Sequence, residues 1–169
     1  MSERLQLPLK PKKRRLHFAL FSPFVSIYWV NKGKFNFQDV TDEAKVNFPG
    51  RWNSGVTVVD INNDGWQDLY ISCTMNADSM RRANMLLLNK GVNEKEIPVF
   101  EEVAEQYGIA DKGYSIMSAF FDYDKDGDLD LYVLTNKHSK EVASNYRIKI
   151  NDGSSPSTAL SQQWQRILY

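Results

Sequence analysis

Residues 55–71 read Gly-Val-Thr-Val-Val-Asp60-Ile-Asn62-Asn-Asp64-Gly65-Trp66-Gln-Asp68-Leu-Tyr-Ile71, and residues 117–133 read Met-Ser-Ala-Phe-Phe-Asp122-Tyr-Asp124-Lys-Asp126-Gly127-Asp128-Leu-Asp130-Leu-Tyr-Val133. A shift of 62 residues superimposes them without a gap, acidic position on acidic position and glycine on glycine. Each has a short β-branched or aromatic run before the aspartates and an apolar run after them. This is the pattern of two strands joined by an Asp-rich loop. Some runs are apolar at consecutive positions, which fits sheets covered on both faces.

The loops have the form Asp-x-(Asp/Asn)-x-Asp-Gly-x-x-Asp. At ordinary Gly and Asp frequencies the pattern arises roughly once in a million start positions. Calcium takes six to eight oxygen ligands at about 2.3–2.6 Å, and one short loop supplies most of them when alternate residues point inward. Positions 1, 3 and 5 then give side-chain oxygens, position 7 a backbone carbonyl, and position 9 a side chain or a bound water. Glycine at position 6 permits the sharp turn at positive φ. The first ligand set is Asp60, Asn62, Asp64, the carbonyl of Trp66, and Asp68. The second is Asp122, Asp124, Asp126, the carbonyl of Asp128, and Asp130. The first carries three negative charges and the second four, so the second loop is expected to bind Ca2+ more tightly. The competing reading is a pair of solvated turns, because Asp, Asn and Gly favour turns without any ion. An EF-hand needs Glu at position 12 and flanking helices. Position 12 here is Ile71 and Val133, and the flanks read as strands.

Outward from the loops, a second pair of segments repeats. Asn31-Lys-Gly33 followed by Phe37 and Val40 matches Asn89-Lys-Gly91 followed by Phe100 and Val103, with five extra residues in the second copy. A period near 60 marks a repeat architecture. Met85–Leu88 reads as a strand ended by the turn signal Asn89-Lys90-Gly91, and Phe100–Val103 as a further strand. Glu101–Tyr107, closed by Gly108, is rich in helix formers and predicts a short helical turn.

These segments resemble the VCBS/FG-GAP repeats, which occur in bacterial surface and secreted proteins and, more distantly, in the propeller of integrin α-chains. The resemblance rests on Gly55-Val-x-Val-x-Asp60-x-Asn-x-Asp-Gly-x-x-Asp68-Leu-Tyr, Asn84-x-Leu-x-Leu-Asn89-x-Gly91, Phe100-x-x-Val and Gly108-Ile109. It runs from about Asn31 to His138 and is strongest toward long bacterial VCBS-repeat proteins related to cartilage acidic protein. The Phe-Gly and Gly-Ala-Pro elements that name the FG-GAP type are absent, so integrin-like ligand recognition is not implied. The resemblance implies an all-β fold, a partial β-propeller of about two four-stranded antiparallel blades, with calcium between the first two strands of each. It places a half blade at 28–53, a full blade at 54–110 and a half blade at 111–138. Residues 1–27 and an irregular tail at 139–169 lie outside it. A closed ring of such sheets needs several hundred residues. The expectation is therefore a truncated product or piece of a longer propeller that is marginally stable alone, or associates with copies or partners through open edges and faces.

Composition narrows the function. Apolar residues make up 42% and charged residues 25% of 169, ordinary for a folded domain. Net charge is zero, yet residues 1–15 carry six basic residues against Glu3 alone, leaving the remainder acidic by five charges. An acidic body suits a cation binder and argues against a nucleic-acid platform. The run Leu16–Val30 after Lys-Pro-Lys-Lys-Arg-Arg has the basic-then-apolar layout of a secretory signal, against a disordered leader as the alternative; the basic run also matches nuclear-targeting patterns. No apolar stretch is long enough for a transmembrane helix. The single cysteine, Cys73, reads as a buried strand residue. His17 and His138 fall outside the repeated core, and no nucleophile, phosphate-loop or zinc motif appears. The expected function is a non-catalytic calcium-binding module for protein or glycan interaction at the cell surface or outside the cell. The alternative is a carboxylate-based hydrolase or lyase on the same scaffold. Trp52 and Tyr114, ahead of each Asp loop's first strand, are expected to pack between blades or line a ligand surface.

Overall fold

The computed structural model describes residues 17–22 and 25–136, with residues 160–166, and Phe18, as backbone alone. It is all-β, with three antiparallel sheets. The central sheet holds β4 (Trp52–Val59), β5 (Asp68–Thr74), β6 (Met85–Val92) and β7 (Pro98–Glu102), in that order. The N-terminal sheet is β1 (His17–Phe21), β2 (Ser26–Asn31) and β3 (Phe37–Asp39). The C-terminal sheet is ordered β10 (Leu160–Arg166), β9 (Asp130–Asn136), β8 (Ser115–Phe121). No described helix is long and apolar enough to cross a membrane.

The central sheet is covered on both faces, and alternation along β5 shows how. All seven residues of β5 are buried. Leu69, Ile71 and Cys73 join Tyr28, Val30 and Val46 in one cluster toward the N-terminal sheet. Tyr70 joins Leu131 and Val133 in another toward the C-terminal sheet, with Leu86 and Leu88 of β6. A period of two with both sides apolar gives the consecutive apolar run in the sequence. Tyr28 and Phe100 meet edge to face at 5.6 Å across the first boundary, and the Phe100 N–H donates to the Ala44 carbonyl at 3.0 Å.

At the second boundary β4 and β8 run close together. Ser54 Oγ donates to the Ser115 carbonyl at 2.8 Å, and Thr57 Oγ1 to the Ser118 carbonyl at 2.7 Å. Gly55 permits this approach, because a Cβ there would lie 2.9 Å from the Ile116 carbonyl oxygen. The internal repeat is structural in detail. The β4–β5 pairing is broken by a bulge between Asn53 and Gly55, and the β8–β9 pairing between Ser115 and Met117, 62 residues on. The turn in which the Ala44 N–H donates to the Val40 carbonyl recurs as Tyr107 to Val103, with Lys45 and Gly108 both at positive φ. The expected helical turn at Glu101–Tyr107 is thus a single turn following β7.

Three expectations need correction. Of the expected leader at 1–27, the described residues belong to the N-terminal sheet: β1 pairs with β2 from His17↔Val30 to Phe21↔Ser26, and His17 Nδ1 lies 2.7 Å from Tyr28 Oη. The tail is not wholly irregular, since β10 pairs with β9 from Leu160↔Asn136 to Arg166↔Asp130. Main-chain pairing along an open edge requires no side-chain motif, so nothing in the sequence announced it. Third, Asn89-Lys90-Gly91 does not end its strand. β6 continues to Val92 through a bulge, with Gly91 at φ +87°. A four-residue helix α1 (Ser79–Arg82), capped by Asp78 accepting from Met80 N–H at 2.9 Å, lies between β5 and β6. Residues 1–16, His138 and the expected irregular tail apart from 160–166 lie outside the described residues.

Candidate metal centre

Each Asp loop joins the first two strands of its sheet, β4 to β5 and β8 to β9. Two left-handed residues turn the chain: Asn63 (φ 53°) and Gly65 (φ 83°) in the first loop, Lys125 (φ 62°) and Gly127 (φ 96°) in the second. Glycine at position 6 is the expected solution. Position 4 was not anticipated, and there asparagine adopts the conformation more readily than lysine.

Four hydrogen bonds are common to the two loops, atom for atom. The first aspartate accepts from the N–H of position 5 on one oxygen and of position 6 on the other: Asp60 from Asp64 (3.0 Å) and Gly65 (2.8 Å), Asp122 from Asp126 and Gly127 (both 3.1 Å). The position-5 aspartate accepts from position 7, as in Asp64 from Trp66 at 2.7 Å and Asp126 from Asp128 at 3.0 Å. The last aspartate reaches back to position 2, Asp68 Oδ2 to Ile61 N–H and Asp130 Oδ2 to Tyr123 N–H, both at 2.9 Å. The backbone thus holds these carboxylates while each keeps lone pairs for another partner.

The loops differ in what they gather. In the second, Asp122, Asp124 and Asp130 bring carboxylate oxygens within 4.8 Å of one another, a group that could hold a metal ion. Oxygens bound to one ion at 2.3–2.6 Å lie at most about 5 Å apart, so the donor set fits a hard divalent cation. Asp126 is outside that group, its Oδ1 taken by the Asp128 N–H. Among the described residues Asp60, Asp64 and Asp68 are not gathered to this spacing. The residue at position 3 accounts for this: Asp124 is a carboxylate and Asn62 is not, while the position-5 aspartate stands outside the group in both loops. The Asn62 amide instead donates to Asp64 Oδ2 at 3.0 Å.

Asp68 is further committed. It is fully buried, and its second oxygen accepts from the Asn89 N–H of β6 at 2.7 Å. Burial pushes its carboxyl above the usual carboxylate range. The Asn89 and Ile61 N–H groups oppose that shift, and the charges of Asp64 and Asp60 add to it. Asn89 also donates from its amide to the Gln67 carbonyl (3.1 Å) and accepts from the Gly91 N–H (2.9 Å). Its role as the tie between loop and third strand was missed, although the recurrence of Asn-Lys-Gly marked it. Asn31 makes the same acceptor bond to the Gly33 N–H at 2.8 Å. Trp66 packs on this turn, its ring 3.6 Å from where a Gly91 Cβ would stand.

Among the described residues, Cys73, His17, Tyr114 and Trp52 are engaged within the fold. Cys73 is fully buried, and burial pushes its thiol up to about 11. His17 is held by Tyr28. Tyr114 lies under the Arg82 guanidinium at 4.4 Å, and Trp52 stands in β4 opposite Thr74. No family model matches this chain, and no curated protein matches it.

Proposed function

We propose that this chain is a non-catalytic calcium-binding repeat module of the β-propeller type, serving protein or glycan interaction at the cell surface or outside the cell. One observation carries the reading: two Asp loops 62 residues apart share their hydrogen bonds atom for atom, and the second gathers Asp122, Asp124 and Asp130 within 4.8 Å. Crowded carboxylates repel one another, and a divalent cation offsets that repulsion. Asp122, Asp124 and Asp130 would hold the ion in the second loop, with Asp126 and the Asp128 carbonyl as further donors. Asp60, Asn62, Asp64, Asp68 and the Trp66 carbonyl would do so in the first, after Asp64 turns from Asn62. The ion would supply charge neutralisation and fix each loop between its strands, so its binding contributes to folding.

The propeller reading draws support from the four-stranded central sheet and from β4 lying against β8 with their bulges in equivalent places. The extracellular setting and the class of partner rest on the resemblance to VCBS/FG-GAP repeats. Calcium titration followed by tryptophan emission tests the metal assignment in the first loop, where Trp66 sits on the Gly91 turn. A saturable change that Trp66→Phe abolishes is expected. An emission spectrum indifferent to millimolar calcium would count against that site.

A further inference from the structure

The repeat gives every sheet a backward and a forward face. Leu69 and Ile71 of the central sheet look back onto the N-terminal sheet, and their counterparts Leu131 and Val133 look back onto the central sheet. Tyr28 and Val30 look forward, as do their counterparts Leu86 and Leu88. The same kind of contact is therefore made twice, and among the described residues one backward face, on the N-terminal sheet, and one forward face, on the C-terminal sheet, remain.

Both end faces carry exposed apolar residues. Alternation in β2 puts Ile27 on the backward face of the N-terminal sheet, opposite Leu20, which is 44% exposed. On the forward face of the C-terminal sheet Leu134 stands opposite Met117, which is 54% exposed. None of these four belongs to either buried cluster.

The forward face also specifies what fits it. In the central sheet the equivalent positions are Gly55 and Ser72, small enough for the first strand of the next sheet to approach. Met117 and Leu134 fill that space. A sheet with a strand in the place of β4 or β8 would collide with them. The described N-terminal sheet has none, because β2 and β3 repeat β6 and β7, which puts β1 in the place of β5.

We infer that copies of this chain associate head to tail, the forward face of one C-terminal sheet seating on the backward face of another copy's N-terminal sheet. The contact extends the two boundaries inside each chain and is independent of the metal reading. Because the two surfaces differ, it makes rings where the rotation closes and filaments where it does not.

Sedimentation of the full chain tests this. The average mass should rise with concentration through dimer and beyond. Leu20→Lys and Met117→Lys each remove one surface, so each variant alone should be monomeric while their equimolar mixture forms a dimer and stops there. Ile27→Lys and Leu134→Lys replace them if circular dichroism shows either misfolded. A wild type that stays monomeric across the micromolar range overturns the proposal. So does association that neither substitution reduces, a single variant that dimerises with itself, or a mixture that stays monomeric.

Discussion

Replacing Gly55 by alanine should weaken the join between the central and C-terminal sheets by about 1–3 kcal/mol. Gly55 needs no positive φ, so alanine is compatible with its backbone, and by restricting the unfolded chain it would add roughly 0.4–1 kcal/mol of stability. The opposing effect is contact. The new Cβ would lie 2.9 Å from the Ile116 carbonyl oxygen and 3.3 Å from Met117 Cα. Both belong to the backbone, so no rotamer change relieves the first contact, and β4 must move off β8 by several tenths of an ångström. That displacement stretches the Ser54–Ser115 and Thr57–Ser118 bonds, now 2.8 and 2.7 Å. Each is worth about 0.5–1.5 kcal/mol. Chemical denaturation in saturating calcium reads the loss as a lowered midpoint at constant m. Combining Gly55→Ala with Thr57→Val should cost less than the sum of the two, since both act on one contact. If Gly55→Ala matches or exceeds wild-type stability, the close packing of β4 on β8 is wrong.

Three further outcomes follow from the core and its turns. Asn84 is buried, donates to Tyr70 Oη (3.1 Å) and accepts from the Cys73 N–H (2.8 Å), so Asn84→Ala should cost about 2–3 kcal/mol in denaturant unfolding. Burial pushes the Cys73 thiol from 9.0 up to about 11 and the Tyr28 phenol from 10.0 to about 12. Both hold their protons more tightly when folded, so their contribution is complete below pH 9. It falls as pH rises through 9–11 for Cys73 and 10–12 for Tyr28. Denaturant midpoints taken across that range should decline, and Cys73→Ala should flatten the earlier part of the decline. Lys45 is exposed at φ 59°, where its counterpart is Gly108, so Lys45→Gly should stabilise by about 0.5–1 kcal/mol in the same assay.

The strands around the Asp loops were legible because two independent signals coincide there: β-branched or apolar runs and a glycine-centred turn. The double cover of the central sheet was legible from the consecutive apolar residues of Leu69–Cys73. Strand ends were less so. Asn89-Lys90-Gly91 is a turn signal, yet the same residues make a bulge when a longer arm follows, as β6 and β7 show. β1 looked like a leader because Leu16–Val30 is apolar almost throughout and its turn has no repeat counterpart. β10 carries no motif, since an open edge recruits backbone rather than side chains. At the loops, the 1-3-5-9 spacing marked the candidate donors but not their unequal gathering. That difference rests on the single change of Asn62 to Asp124. The tie from Asp68 to Asn89 was equally hidden, because it comes from a strand 21 residues on.

Calorimetric titration of calcium into chelator-treated protein, paired with melting curves, addresses the central claim most directly. The account predicts saturable heat, a melting temperature that climbs with calcium, and loss of the tighter binding event in Asp122→Asn and Asp130→Asn. Absence of binding heat, together with a melting temperature identical in calcium and in chelator, would contradict it.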